Sequence, residues 1–131
     1  MEQARHDLAD ARFAASGERY ALASFLAHQV GEKSVSAYLY ARGADDVWGH
    51  ALADLCEDAI ALDPSFDLIK SLAVLLDKHY YGTRYPSALP GGVPWEVYEA
   101  QDAERAIAIA QDVVEFVEAR LRDVDAESGP G

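Results

Sequence analysis

The chain has 131 residues, half of them apolar, with 11 Lys plus Arg against 23 Asp plus Glu and a formal net charge of −12. A chain of this length buries roughly 65–70% of the surface its unfolded form exposes, enough for one core without staples, so a disulfide- or metal-held mini-protein is excluded. The acidic balance repels phosphate backbones, which excludes general DNA binding and makes any anion site a local exception.

Apolar residues recur three and four apart with no sustained alternation at period two, which predicts an all-α fold of five helices. The first runs from about Glu2 to Ala15 and ends at Ser16-Gly17; the second runs from about Glu18 to Arg42 and stops at Gly43, a left-handed cap. Asp45 or Asp46 is expected to cap a third, carrying Trp48, Ala51, Leu52, Leu55, Cys56 and Ala59 on one side. Asp63-Pro64 then opens a fourth that ends near His79. After a long loop from Tyr80 to Gln101, Asp102 caps a fifth helix with Ala103, Ala106, Ile107, Ala110, Val113, Val114, Val117 and Leu121 as its core stripe. Short connections predict an up-and-down four-helix bundle with one additional short helix. One domain over residues 1–122 is expected, with 123–131 a flexible tail.

The only cysteine, Cys56, permits no internal disulfide, and the first residues lack the apolar core of a signal peptide, so a cytoplasmic protein is expected. No uncharged apolar run reaches membrane-spanning length, the longest candidate, Leu68 to Leu76, being broken by Lys70 and Ser71. The loop holds Tyr80, Tyr81, Tyr85, Trp95 and Tyr98 among Pro86, Pro90 and Pro94, a mixture of rigid turns and large anchors expected to pack on the bundle.

Two features could carry chemistry. With His28 at zero on a helical wheel, an arc from Leu39 at about 20° to Leu26 at about 160° also takes in Phe25, Leu22 and Tyr40, and is the expected core face. Gln29, Glu32, Lys33 and Ser36 fall inside it. Charges there must be paired or must line a wet cleft or subunit interface, so a structural Glu32–Lys33 pair and a ligand-lining strip both stay open. The second feature is Arg84, the only formal charge between Lys78 and Glu96, flanked by aromatic rings. That setting suits phosphate or carboxylate recognition, while a structural role, capping helix carbonyls or pairing with Asp77, is the competing reading. His28 and Glu32 lie four apart but do not make a metal site, and no metal or cofactor is expected. Gly91-Gly92 between Pro90 and Pro94 reads as a turn rather than a phosphate loop. No Ser, Cys and His spacing suggests a nucleophile triad.

The run Phe25-Leu26-Ala27-His28-Gln29-Val30-Gly31-Glu32-Lys33 resembles the second-helix signature of the HEPN family, the higher eukaryotes and prokaryotes nucleotide-binding domain. Leu76-Asp77-Lys78-His79-Tyr80-Tyr81-Gly82-Thr83-Arg84-Tyr85-Pro86 resembles its helix-to-loop signature, followed in order by Pro94, Tyr98 and Asp102-Ala103. The resemblance implies a helical homodimer with a nucleotide- or RNA-associated cleft near the subunit interface, and often a minimal nucleotidyltransferase partner in a toxin–antitoxin pair. Nuclease members carry Arg, four to six residues, then His; here no His follows Arg84, and the acid–base partner for attack by an RNA 2′-hydroxyl is missing. The expected role is therefore a non-catalytic, nucleotide- or phosphate-binding homodimer. Arg84 would meet phosphate with Lys33 assisting, Tyr81 or Tyr85 would stack on the base, and Gln29, Glu32 and His28 would complete the site. The alternatives are a metal-independent ribonuclease toxin using His28 or His79, and a pure protein-interaction module.

Overall fold

The computed structural model describes residues 1–45, 47, 51–84 and 99–127, with 79–84 and 127 as helical backbone. Among these residues the chain is all helical: α1 (Glu2–Ser16), α2 (Tyr20–Ala41), α3 (Leu52–Leu62), a single 3-10 turn (Pro64–Phe66), α4 (Asp67–Arg84) and α5 (Ala100–Glu127). The long helices α1, α2, α4 and α5 form an up-and-down bundle, and the 11-residue α3 packs on α2 and α4. No described helix is long and apolar enough to cross a membrane.

The helix ends follow local chemistry. After α2, Ala44 N–H reaches Leu39 C=O and Gly43 N–H reaches Tyr40 C=O, both at 3.0 Å, with Gly43 at φ 100°. This is the Schellman arrangement that the glycine announced. After α1 the same pair of bonds forms one residue later than Gly17 suggests: Arg19 N–H to Ala14 C=O and Glu18 N–H to Ala15 C=O. Glu18, not Gly17, therefore takes the left-handed position, at φ 63°. Asp63 accepts from Ser65 N–H at 3.0 Å and from Ser65 Oγ at 2.7 Å, and Pro64 opens the 3-10 turn that leads into α4.

Four boundaries differ from the sequence expectation. Helix α3 starts at Leu52, and among the described residues neither Asp45 nor another local side chain caps it; Asp46 and Trp48 to His50 lie outside the described residues. Helix α4 continues past His79 to Arg84, so Tyr80, Tyr81 and Arg84 are helical rather than in the loop. Helix α5 begins at Ala100, where Asp102 in its first turn reaches back to accept Glu99 N–H at 2.9 Å, half of a capping box. It also runs on to Glu127, with Val124 packed against the core, because its apolar spacing continues beyond Leu121.

The core lies between α2 and α5, closed by the other helices. Tyr38, Phe66 and Phe116 form an aromatic chain through it, with centroids 4.5 Å and 5.1 Å apart and the second pair edge-to-face. Small residues bring the backbones together: Ala23 and Ala27 on α2, and Ala103, Ala106 and Ala110 on α5, are all fully buried. A Cβ on Gly31 would stand 2.7 Å from a methyl of Leu52 and 3.1 Å from one of Leu76, so this glycine sets how closely α3 and α4 approach α2. The thiol of Cys56 is buried in the core, where loss of solvent pushes its pKa up to about 12 and keeps it protonated.

The expected core face of α2 is corrected. Its buried residues are Ala23, Ser24, Ala27, His28, Val30, Gly31, Ser34, Val35, Tyr38 and Leu39, on the side away from Leu22 and Tyr40. Leu22 and Tyr40 are about half exposed, and Phe25 and Leu26 are half-buried. The physical reason is that α2 is apolar nearly all the way round and touches four other helices. Large side chains do not mark the inner side of such a helix; the residues small enough for close backbone approach do.

Candidate functional site

Where α2, α3 and α4 meet, the structure buries two polar groups that the sequence places far apart. Asp77, near the middle of α4, is 8% exposed, and His28, on α2, is 1% exposed. His28 Nε2 lies 2.8 Å from Asp77 Oδ1. The same oxygen accepts Leu52 N–H at 3.0 Å, and Oδ2 accepts Ala53 N–H at 2.9 Å. Asp77 thus caps α3 from another helix, answering two of the donors that every helix N-terminus leaves open and meeting the positive end of its dipole. This explains why no local cap is needed after Ala51.

Removal from water pushes the Asp77 carboxyl up, but the hydrogen bonds from His28, Ala53 and Leu52 together outweigh it and hold it below the usual carboxylate range. An ionised carboxylate only accepts, so Nε2 of His28 is the donor and its ring orientation is fixed. On the other side of the ring, Nδ1 faces Glu32 Oε1 at 3.6 Å. Burial pushes the Glu32 carboxyl up, against the pull of His28, while Asp77 adds to the rise and Lys33 opposes it.

Lys33 does not pair with Glu32. Its ammonium donates to Asp7 Oδ2 on α1, and Asp7 Oδ1 accepts from Gln3 Nε2 at 2.9 Å. Asp7 is 6% exposed, so this ion pair ties α1 to α2 with the acid inside and the lysine stem reaching in from the surface. Gln29 is half-buried one position along α2 from His28. Arg84 ends α4 seven residues beyond Asp77, two helical turns or about 10.5 Å along the axis, and Tyr81 sits one turn before it. Tyr85 lies outside the described residues.

Of the expected site residues, His28 and Glu32 are therefore brought together, Lys33 is held by Asp7, and Tyr81 and Arg84 share the last turns of α4. Sequence reading missed what Asp77 and Asp7 do. The available signal was an acid placed within an apolar stripe: Asp77 beside Ile69, Ala73 and Leu76, and Asp7 beside Ala4, Leu8 and Ala11. Among the described residues no group of three or more His, Cys, Asp or Glu could hold a metal ion.

This helical order has parallels among known proteins. The sequence matches the HEPN domain family over residues 1–120. A protein of solved structure from Thermus thermophilus is 36% identical and superposes with a TM-score of 0.78 over 90% of this chain and 92% of that one. An archaeal HEPN homologue is 35% identical with a TM-score of 0.74, covering 91% of this chain and 92% of its own. A HEPN domain protein from Thermotoga maritima is 29% identical with a TM-score of 0.74, over 93% and 96%. No curated protein matches. With the family match spanning all but the last residues and two HEPN relatives superposing over nine-tenths of the chain, this protein belongs to the HEPN domain family.

Proposed function

We propose that this protein is a non-catalytic HEPN domain that binds a nucleotide or similar phosphate ligand as a homodimer and acts with a minimal nucleotidyltransferase in a toxin–antitoxin-like pair. The observation that carries this reading is the sequestration of His28. Cleavage by attack of an RNA 2′-hydroxyl needs a group that exchanges protons with the substrate. No His follows Arg84 in the chain, and His28 is 1% exposed with Nε2 bound to Asp77. A cation for phosphate remains without an accessible histidine from α2 beside it, which favours binding over cleavage.

Asp77 supports the same reading from the other side. Its two oxygens already hold three donors, so it is occupied by α2 and α3 rather than reserved for Arg84. Arg84 is proposed to meet phosphate, Tyr81 or Tyr85 to offer a stacking face, and Gln29 to line the approach. Lys33 has its charge offset by Asp7, so what it can offer a phosphate is a remaining N–H of its ammonium.

Calorimetric titration with ATP tests this. Wild type is expected to bind, and Arg84→Ala to lose at least tenfold in affinity while keeping its helical circular dichroism. Unchanged affinity in a folded Arg84→Ala protein contradicts the assignment of Arg84.

A further inference from the structure

Three contacts fix how α2 and α4 run past each other. Tyr38 lies on Phe66, just before α4, with ring centroids 4.5 Å apart; a Cβ at Gly31 would stand 3.1 Å from a Leu76 methyl; and His28 Nε2 is 2.8 Å from Asp77 Oδ1. Numbers along α2 fall as those along α4 rise, so the two helices are antiparallel. Continued seven residues past Asp77, the same register sets the end of α4 at Arg84 level with about Ala21, in the first turn of α2. Glu32 and Lys33 lie the other way along α2, beyond His28. The basic residue on α2 at the level of Arg84 is Arg19, which immediately precedes the helix. Arg19 is exposed, and among the described residues its guanidinium has no ion pair or hydrogen bond, whereas Lys33 and Lys70 each hold an acid. It lines a cavity of about 600 Å³ together with Glu18, Tyr20, Ala21 and Leu22.

We propose that Arg19 is the second cation of the Arg84 site and that the ligand carries a chain of two or more phosphates. The inference rests on the nucleotide-binding reading above and adds to it a residue and a ligand class. Packed helix axes stand about 8–10 Å apart, so guanidinium groups rooted on α2 and α4 are spaced for linked phosphates, where one phosphate is served by one fork. Charge points the same way. A nucleoside polyphosphate brings several negative charges to a chain already at −12, and one guanidinium offsets only one of them. The rest of the cavity lining suits a nucleoside. Tyr20 gives a ring face for a base, and the carboxylate of Glu18, which only accepts, matches the hydroxyl or amino donors of the nucleoside rather than its phosphates.

Calorimetric titration of the full chain with AMP, ATP and inorganic tripolyphosphate tests the proposal. Wild type is expected to bind ATP at least about tenfold more tightly than AMP, and Arg19→Ala to lose about tenfold or more toward ATP and tripolyphosphate while its affinity for AMP stays within about twofold. The substitution leaves the backbone N–H of position 19 on Ala14 C=O, so the helical circular dichroism and melting temperature should stay those of the wild type. Arg122→Ala removes the same charge about 28 Å along α5 from Ala103, which packs with Ala14 and Ala23 at the Arg19 end, and should leave binding unchanged. An equal loss in Arg122→Ala would trace the effect to net charge and overturn the contact. Equal affinity of wild type for ATP and AMP, or equal losses toward both in Arg19→Ala, overturns the phosphate chain. ATP binding that Arg84→Ala weakens and Arg19→Ala does not overturns the role of Arg19 while that of Arg84 stands. A wild type that binds no nucleotide overturns both readings.

Discussion

A buried carboxylate is tolerated when its lone pairs are filled, and Asp77 meets that condition with one imidazole and two backbone N–H donors. Its removal costs more than one bond, because His28 and the start of α3 lose their acceptor together. Asp77→Asn is expected to lower stability by about 2–4 kcal/mol in urea unfolding, since the new amide N–H₂ meets donors. A loss under about 0.5 kcal/mol would mean that the cluster is not structural. The pH dependence has a defined sign. The depressed Asp77 carboxyl contributes stability that is present above the ordinary carboxylate range and is lost as pH falls through its lowered value. Glu32 works in the opposite direction: its raised carboxyl costs nothing while protonated, and the cost of ionising it appears as pH rises through the folded-state value. Glu32→Gln should therefore raise the melting temperature at pH 7, by about 1–2 °C, and leave it unchanged near pH 3. A lower melting temperature at pH 7 would show that the Glu32 charge is stabilising.

At the scale of elements, the helices themselves are legible in the sequence, because apolar spacing in α1, α4 and α5 separates a buried from an exposed side. The ends are less so. Asp63-Pro64 and Gly43 act as their chemistry suggests, but the start of α3 is decided by Asp77, 25 positions from Leu52, and no local pattern contains that information. The inner side of α2 is also illegible, since helices on several sides reward small residues there and leave Leu22 and Tyr40 half exposed. Of the candidate site, the proximity of His28 to Glu32 follows from helical spacing; the commitment of Lys33 to Asp7 and of His28 to Asp77 arises only in the tertiary fold. The α1–α2 turn offers a direct test of local strain. Glu18 occupies the left-handed position in which a side chain costs about 1 kcal/mol, while Gly17 beside it has φ −93°. Glu18→Gly should raise stability by up to about 1 kcal/mol in urea unfolding; a loss would show that the Glu18 side chain holds the hairpin.

For the whole molecule, family and architecture agree: the described residues form a helical bundle, and HEPN relatives of nearly the same length superpose on it. The proposed phosphate ligand would be held locally, because a net charge of −12 opposes capture of an RNA polymer. Native mass spectrometry of the purified protein, titrated with ATP, tests this most directly because one series reports stoichiometry and retained ligand together. The predicted result is a dimer that retains nucleotide and loses it on Arg84→Ala. A dimer or monomer that retains none at any concentration of ATP would contradict it.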